Sequence, residues 1–188
     1  MSKQRAAIFA SGTGSNFEAV MDKSNLACDV VLLVCDKPEA TVIEKANRTG
    51  VPTYVFEPKK YASKEAYEQK LVEKLREEQI DWIFLAGYMR LVGPTLLQAF
   101  EGKIINIHPS LLPAFPGKDA IGQAYRAGVQ TTGVTVHYVD AGIDTGPIIS
   151  QKEVPILPED TEDTLKQRIQ QVEHSLYPDV INQLILKK

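Results

Sequence analysis

An asparagine and a histidine interrupt an apolar segment near the middle of the chain. Ile104–Ile107 has the composition of a buried strand, yet it contains Asn106 and is followed by His108. Residues two apart in a strand point to the same face, so the amide and the imidazole are predicted to project together. An amide can donate to a developing oxyanion, and an imidazole can move a proton near neutral pH. The pair suits acyl transfer to an amine; the alternative is a structural role for both.

A loop later in the chain offers a carboxylate for this pair. The segment 140–146 contains Asp140 and Asp144. A carboxylate beside the imidazole would favour the protonated ring and fix its orientation. Asp144 is the predicted third member, but Asp140 fits the pattern equally well, and loop aspartates often stabilise turns.

The glycine-rich turn 11–16 follows the first predicted strand and opens the first predicted helix. Free backbone N–H groups and the helix dipole make such a place an anion site. Gly14 allows close backbone approach, and Ser15 and Asn16 add side-chain donors. Phe17 stands where a dinucleotide fingerprint needs glycine, and Gly-Lys-Ser/Thr is absent, so a phosphate monoester is predicted. The alternative is a tight turn without a ligand.

The remaining histidines and the cysteines are predicted to be structural or solvated. His137 lies in a β-rich run, where a role within the sheet is expected, and His174 is expected to be solvated. The histidines and cysteines lack metal-ligand spacing, so no metal is predicted. Cys28 and Cys35 are placed on opposite faces of one predicted strand and cannot bridge each other. Two unpaired thiols suit a reducing cytosol.

Short apolar runs alternate with helical patterns through the first half of the chain. Continuous apolar strands separated by helices predict an α/β fold with a doubly wound, mostly parallel sheet. A C-terminal β pair and a terminal helix follow. That helix opens near Thr161, and Pro178 is expected to kink or end it. The predicted strands are 6–10, 30–34, 53–56, 80–86, 104–107, 134–139 and 148–154, and the predicted helices begin near 17, 40, 63, 94 and 161.

Composition limits the classes of protein that this chain can represent. It has 188 residues, 44% hydrophobic and 24% charged, with a formal net charge of −3. These values predict one domain over residues 1–188 and argue against a nucleic-acid partner. The sequence shows neither a signal peptide nor a membrane-spanning run, so a cytoplasmic protein is expected. The composition is also compatible with a homo-oligomer.

Four segments together resemble the phosphoribosylglycinamide formyltransferase family over essentially the whole chain. The His-Pro-Ser-Leu-Leu-Pro stretch is shared by folate formyltransferases broadly, and the Gly-Ser-Asn turn narrows the resemblance. It implies a Rossmann-like formyltransferase fold and transfer of the formyl group of 10-formyltetrahydrofolate, the co-substrate, to the amine of N1-(5-phospho-D-ribosyl)glycinamide in de novo purine (IMP) biosynthesis. The segments are 11–16, 86–90, 106–113 and 144–147.

The resemblance also implies roles for individual residues. Asn106, His108 and Asp144 match the catalytic residues. Other positions match substrate contacts: Gly14, Ser15 and Asn16 for the phosphate, Glu173 for the ribose, and Lys64, Met89, Arg90, Leu91, Val92, Asp140, Ala141, Gly142 and Ile143 for the folate. Some relatives carry arginine at the position of Lys64, and lysine keeps the charge but loses bidentate geometry. A cis peptide bond before Pro113 is also implied.

Three other interpretations fit parts of the pattern. A formyltetrahydrofolate deformylase would use water as the acceptor and usually carries an N-terminal regulatory domain. A methionyl-tRNA formyltransferase would normally carry a C-terminal nucleic-acid-binding domain. Chain length argues against both. A non-catalytic nucleotide-binding module would keep the phosphate turn alone, and the set Asn106, His108 and Asp144 argues against it.

Overall fold

A seven-stranded sheet runs through the computed structural model, which describes residues 2–187. Its strand order is β3-β2-β1-β4-β5-β6-β7. The first five of these strands are parallel, and β6 and β7 join antiparallel. This confirms the predicted doubly wound, mostly parallel sheet with a C-terminal β pair. The strands are β1 Gln4–Ala10, β2 Cys28–Cys35, β3 Thr53–Val55, β4 Trp82–Leu85, β5 Ile104–His108, β6 Thr131–Tyr138 and β7 Ile148–Pro155.

Helices cover both faces of the sheet because its central strands are apolar on both sides. Every residue of 6–10 in β1 is fully buried. Side chains from α1, α2 and α6 pack on one face, and those from α3 and α4 pack on the other. The helices are α1 Ser15–Met21, α2 Thr41–Thr49, α3 Lys64–Glu77, α4 Pro94–Ala99, α5 Ala120–Ala127 and α6 Glu162–Leu186. Among residues 2–187, no helix is long and apolar enough to cross a membrane.

Two helices differ from the sequence prediction. The helix α6 begins after Thr161, as predicted, but it continues past Pro178 to Leu186. Pro178 removes one N–H from the helix ladder, and the buried side chains of Val180 and Ile181 hold the following turns against the sheet. The helix α5 was not predicted.

The cysteines lie on the same face of β2, so their predicted placement was wrong. The pairing of β1 with β2 shifts register between Ala6 and Ala7, where β2 holds one extra residue. A bulge of this kind changes which side chains point to which face. Cys28 and Cys35 consequently pack in the same core cluster, and both are free thiols. Burial raises the pKa of Cys28 to about 12, so this thiol is unsuited to act as a nucleophile.

The strand order creates a crevice where β1 and β4 lie side by side. The chain leaves β1 toward α1 on one face and leaves β4 toward α4 on the other. Open α/β sheets bind ligands at the carboxyl ends of strands at such a switch point. The fold thereby brings the glycine-rich turn after β1 next to the polar end of β5.

Candidate active site

A cleft of about 1070 Å³ opens at the carboxyl ends of β1, β4 and β5. It brings together most of the residues that the sequence predicted for the site. Gly14, Lys64 and Ala141 lie outside its lining. The predicted residues that border the cleft are Ser15, Asn16, Met89, Arg90, Leu91, Val92, Asn106, His108, Asp140, Gly142, Ile143, Asp144 and Glu173.

Asn106 and His108 both border this cleft, in agreement with the strand alternation. The imidazole of His108 is buried, and its Nε2 lies 2.9 Å from the carbonyl oxygen of Phe115. Because a carbonyl only accepts, Nε2 carries a hydrogen. Its Nδ1 lies 3.5 Å from Oδ2 of Asp144. Asp144 therefore faces Nδ1 of the ring and can fix its orientation.

The structure distinguishes the two aspartates that the sequence left open. Asp144 reaches the imidazole of His108, and its Oδ2 also accepts a hydrogen bond of 2.8 Å from the backbone N–H of Gly117. Asp140 instead closes its own loop, accepting from the Thr145 hydroxyl at 2.6 Å and from the Gly142 N–H at 3.0 Å. Both hydrogen bonds lower the pKa of Asp140, and the bond from Thr145 has the larger effect. Asp140 therefore stabilises the turn that presents Asp144.

The proline-rich loop after β5 is tied to the sheet by Thr135 of β6. The Thr135 hydroxyl donates to the carbonyl of Ser110 at 2.7 Å and accepts from the N–H of Leu112 at 3.1 Å. Gln151 of β7 donates to the Leu112 carbonyl at 2.8 Å. The bond between Leu112 and Pro113 is cis, as the family resemblance implied. These contacts fix the loop that supplies the Phe115 carbonyl and the Gly117 N–H.

The glycine-rich turn adopts a conformation that requires glycine at one position. Gly14 is the N-cap of α1 and has φ +76°, in the left-handed region. A Cβ atom there would lie 2.5 Å from Cγ2 of Val42. The next two residues, Ser15 and Asn16, border the cleft. Oδ1 of Asn16 is buried and has no hydrogen-bond partner within residues 2–187.

Glu173 of α6 places a buried carboxyl beside this turn. Its residue exposure is 7%, and burial raises its pKa to about 7, while a hydrogen bond with the Asn16 side chain acts in the opposite direction. The helix is anchored one turn later by Tyr177, which is fully buried and donates to the Leu85 carbonyl at 2.8 Å. The carboxyl is thus held out of water, where a hydrogen-bond donor on a ligand would be an effective partner.

The segment Met89–Val92 is fastened to the sheet by a buried carboxylate. Asp36 follows β2, and its side chain is only 1% exposed. It accepts a bond of 2.5 Å from the Ser11 hydroxyl and one of 2.9 Å from Nε of Arg90. The Ser11 hydroxyl in turn accepts from the Met89 N–H at 2.9 Å. Met89 and Leu91 remain more than half exposed, so they present apolar surface at the cleft mouth.

A second buried carboxylate holds the other end of this segment. Glu68 of α3 accepts hydrogen bonds from the N–H groups of Gly93, at 2.8 Å, and Leu96, at 3.4 Å. It therefore satisfies free donors at the start of α4. Nζ of Lys64 donates to the Leu91 carbonyl at 2.7 Å. Lys64 contacts the segment from outside the cleft, and its role toward a folate tail stays a prediction.

The sequence analysis overlooked Asp36, gave His137 only a role within the sheet, and misjudged His174. His137 borders the cleft and contacts Asn106, which depends on the unpredicted pairing of β5 with β6. Asp36 was overlooked, although its position directly after a parallel strand was a usable signal. His174 is half-buried, with Nε2 shielded from water, so its predicted solvation was wrong. Burial lowers its pKa.

Comparison with known proteins places these features in a family. A family model described as formyl transferase matches residues 4–181. Phosphoribosylglycinamide formyltransferase from Bacillus subtilis is 58% identical over 185 residues, covering 97% of this chain and 95% of that protein. The trifunctional purine biosynthetic protein adenosine-3 of Drosophila melanogaster is 42% identical, and the match covers 97% of this chain but 14% of that protein.

Solved structures give the same result. Glycinamide ribonucleotide transformylase 1 from Geobacillus kaustophilus superimposes with a TM-score of 0.95 at 62% identity, covering 97% of this chain and 99% of that chain. Phosphoribosylglycinamide formyltransferase from Bacillus halodurans gives a TM-score of 0.95 at 57% identity, with 98% and 96% covered. The chain belongs to the formyl transferase family.

Proposed function

We propose that this chain is a phosphoribosylglycinamide formyltransferase of de novo purine (IMP) biosynthesis. It transfers the formyl group of 10-formyltetrahydrofolate to the amine of N1-(5-phospho-D-ribosyl)glycinamide, giving the N-formyl product and tetrahydrofolate. The observation that carries this proposal is the meeting of Asn106, His108 and Asp144 in one cleft with the phosphate turn. The high identity to enzymes of this name supports it.

The two ends of the cleft fit two different ligands. At one end, Gly14, Ser15 and Asn16 form the turn that we assign to the substrate phosphate, and Glu173 lies where the ribose hydroxyls would donate to it. The unpartnered Oδ1 of Asn16 is an acceptor that a ligand donor would satisfy. The other end suits a flat heteroaromatic ring, which favours apolar surface. The residues assigned to the folate there are Met89, Arg90, Leu91, Val92, Asp140, Ala141, Gly142 and Ile143, with Lys64 assigned to its tail.

The reaction needs charge stabilisation and one proton transfer. The substrate amine attacks the formyl carbon, a C–N bond forms, and the carbonyl electron pair moves to oxygen. Asn106 and the protonated His108 stabilise this oxyanion, with the Nε2–H of His108 exchanging the Phe115 carbonyl for the new charge. Collapse of the adduct breaks the bond to the folate nitrogen, which receives the proton that leaves the attacking amine, with His108 as the carrier. Asp144, 3.5 Å from Nδ1, holds the ring and balances its charge.

Further properties follow as proposals. We infer a cytoplasmic enzyme that acts on these two small molecules, without nucleic acid, membrane or metal. The described residues contain no group of three or more His, Cys, Asp or Glu placed to hold a metal ion, but the absence of a metal requirement remains a prediction. We also propose a single formyltransferase domain over residues 1–188 that can form a homo-oligomer.

A direct assay tests the proposed reaction. Purified protein is incubated with both substrates in buffer containing a chelator, and the appearance of tetrahydrofolate is followed by absorbance. Turnover that depends on the ribonucleotide supports the transferase, and a metal requirement would appear as lost activity. Tetrahydrofolate formation without the ribonucleotide would indicate a deformylase, and binding of both ligands without turnover would indicate a non-catalytic module.

Variants test the assigned residues. Asn106→Ala and His108→Ala should each lower kcat by about 10²–10³, the effect of removing one oxyanion donor. Thr132→Val is a matched control, because Thr132 is buried on the neighbouring strand and its hydroxyl has no hydrogen-bond partner within residues 2–187. The control should keep its rate. Near-normal kcat in either site variant, with thermal unfolding unchanged, would refute the assignment.

A further inference from the structure

His137 is a buried polar residue that the mechanism above does not use. It lies on β6, directly opposite Asn106 of β5 in the antiparallel register, and it is 2% exposed. Its ring borders the cleft, and Nε2 lies 3.2 Å from Nδ2 of Asn106. A purely structural role in the core would not require this contact with the Asn106 amide, which borders the cleft.

The Tyr138 carbonyl decides which ring nitrogen of His137 carries the hydrogen. Nδ1 of His137 lies 2.8 Å from this oxygen. Since a carbonyl oxygen only accepts, Nδ1 is the donor. In the neutral ring, Nε2 is then left with a lone pair and can only accept. The Tyr138 carbonyl selects this tautomer in either orientation of the Asn106 amide.

An acceptor at Nε2 selects one of the two orientations of the Asn106 amide. Only the NH₂ group can donate to it, so Oδ1 must point away from His137. One N–H is used in this bond, and the second is free to face the cleft. A charged His137 ring would instead donate from Nε2 and favour the reversed amide.

Some groups around His137 favour a positive charge on its ring, and others disfavour it. Asp144, whose Oδ1 lies 3.8 Å from Nε2, and Asp140 favour the charged form, whereas His108 disfavours it. Burial is the largest influence and lowers the pKa of His137, in spite of the bond to the Tyr138 carbonyl. The neutral ring, and with it the acceptor at Nε2, is therefore favoured.

We propose that His137 is a positioning residue that holds the Asn106 amide with an N–H directed at the reacting carbonyl. This inference rests on the proposed function, because the oxyanion forms only in that reaction. His137 acts through Asn106 and does not itself touch the substrate. The amide is thereby oriented before the substrate binds, so no reorganisation is needed when the charge develops.

Kinetics of paired variants test this role. His137→Leu removes the acceptor and should lower kcat about tenfold, the worth of roughly one neutral hydrogen bond, with both KM values within about twofold of wild type. His137→Gln offers a new acceptor and should recover part of the lost rate. In the Asn106→Ala background, His137→Leu should cause no further loss, because the residue that it orients is already gone. Thr132→Val on the same strand serves as the control.

Two outcomes would overturn the inference. Wild-type kcat in folded His137→Leu is one, and full additivity with Asn106→Ala is the other. Nitrogen-15 NMR of the unsubstituted protein near neutral pH gives a readout that needs no variant. A neutral His137 ring protonated at Nδ1 is expected, and an Nε2–H tautomer or a charged ring would contradict the argument. If the wild type lacked transferase activity, the proposed function would fail while the NMR result still tested the tautomer.

Discussion

Arg90→Met should destabilise the fold by leaving a buried carboxylate without its cation. The Asp36 side chain is 1% exposed and that of Arg90 is 37% exposed, with 2.9 Å between Nε and Oδ2. Breaking a fully buried pair costs about 3–5 kcal/mol. Because Arg90 is partly solvated, water reaches the gap that methionine leaves, and we expect about 2 kcal/mol. For a chain of 188 residues this lowers Tm by about 4–8 °C.

The two members of the ion pair differ in their exposure to water, so their single variants should differ in stability. Asp36→Asn should cost less than Arg90→Met, since the guanidinium that it leaves is partly in water, whereas the carboxylate is not. The double variant should be more stable than Arg90→Met alone, because the stranded charge is gone. Thermal and urea unfolding measure all three variants. An unchanged Tm for Arg90→Met, or a double variant less stable than Arg90→Met, would refute the reasoning.

Two further predictions concern the phosphate end of the cleft. Gly14→Ala should destabilise the fold by about 2 kcal/mol and raise KM for the ribonucleotide, because φ is +76° and the new Cβ meets Val42. Gly12→Ala, with nothing within 4 Å of its Cβ, should keep wild-type stability in the same unfolding assay. The raised pKa of Glu173, about 7 against 4.5, means that its stabilising protonation is complete below about pH 4.5 and is lost as pH rises through 7. Glu173→Gln should therefore raise the free energy of unfolding by about 2 kcal/mol above pH 7 and weaken ribonucleotide binding; a variant as pH-sensitive as wild type between pH 5 and 8 would contradict this.

Local rules predicted those parts of the site that depend on one segment at a time. Alternation along β5 placed Asn106 and His108 on the same side, and the structure confirms this, because Ile105 and Ile107 pack together in one core cluster on the other side. The turn after β1 was predicted because glycine and small polar residues mark a strand-to-helix junction, and its phosphate ligand stays a prediction. The sheet was predicted because continuous apolar runs between helices have few alternatives to a covered parallel sheet.

Other features depend on pairings that a single sequence does not reveal. The extra residue in β2 moved Cys28 and Cys35 onto one face, since strand alternation assumes an unbroken ladder. Pro178 lies within α6 because packing after it outweighs one lost hydrogen bond. The choice between Asp140 and Asp144 depended on which carboxylate crosses the loop to the imidazole, a distance of tertiary origin.

The buried carboxyl groups near the cleft have opposite effects on the stability of the fold. Asp36 and Glu68 are buried carboxylates with partners on both oxygens, so they hold the segment 89–93 and should stabilise the fold. Glu173 is a buried carboxyl beside the Asn16 side chain; burial raises its pKa, and Asn16 offsets only part of this effect. Such a carboxyl lowers the free energy of unfolding near neutral pH, so stability alone does not explain its presence. The cost is understandable if a ligand completes the missing hydrogen bonds, which is why losing Glu173 should strengthen the free protein and weaken its complex with the ribonucleotide.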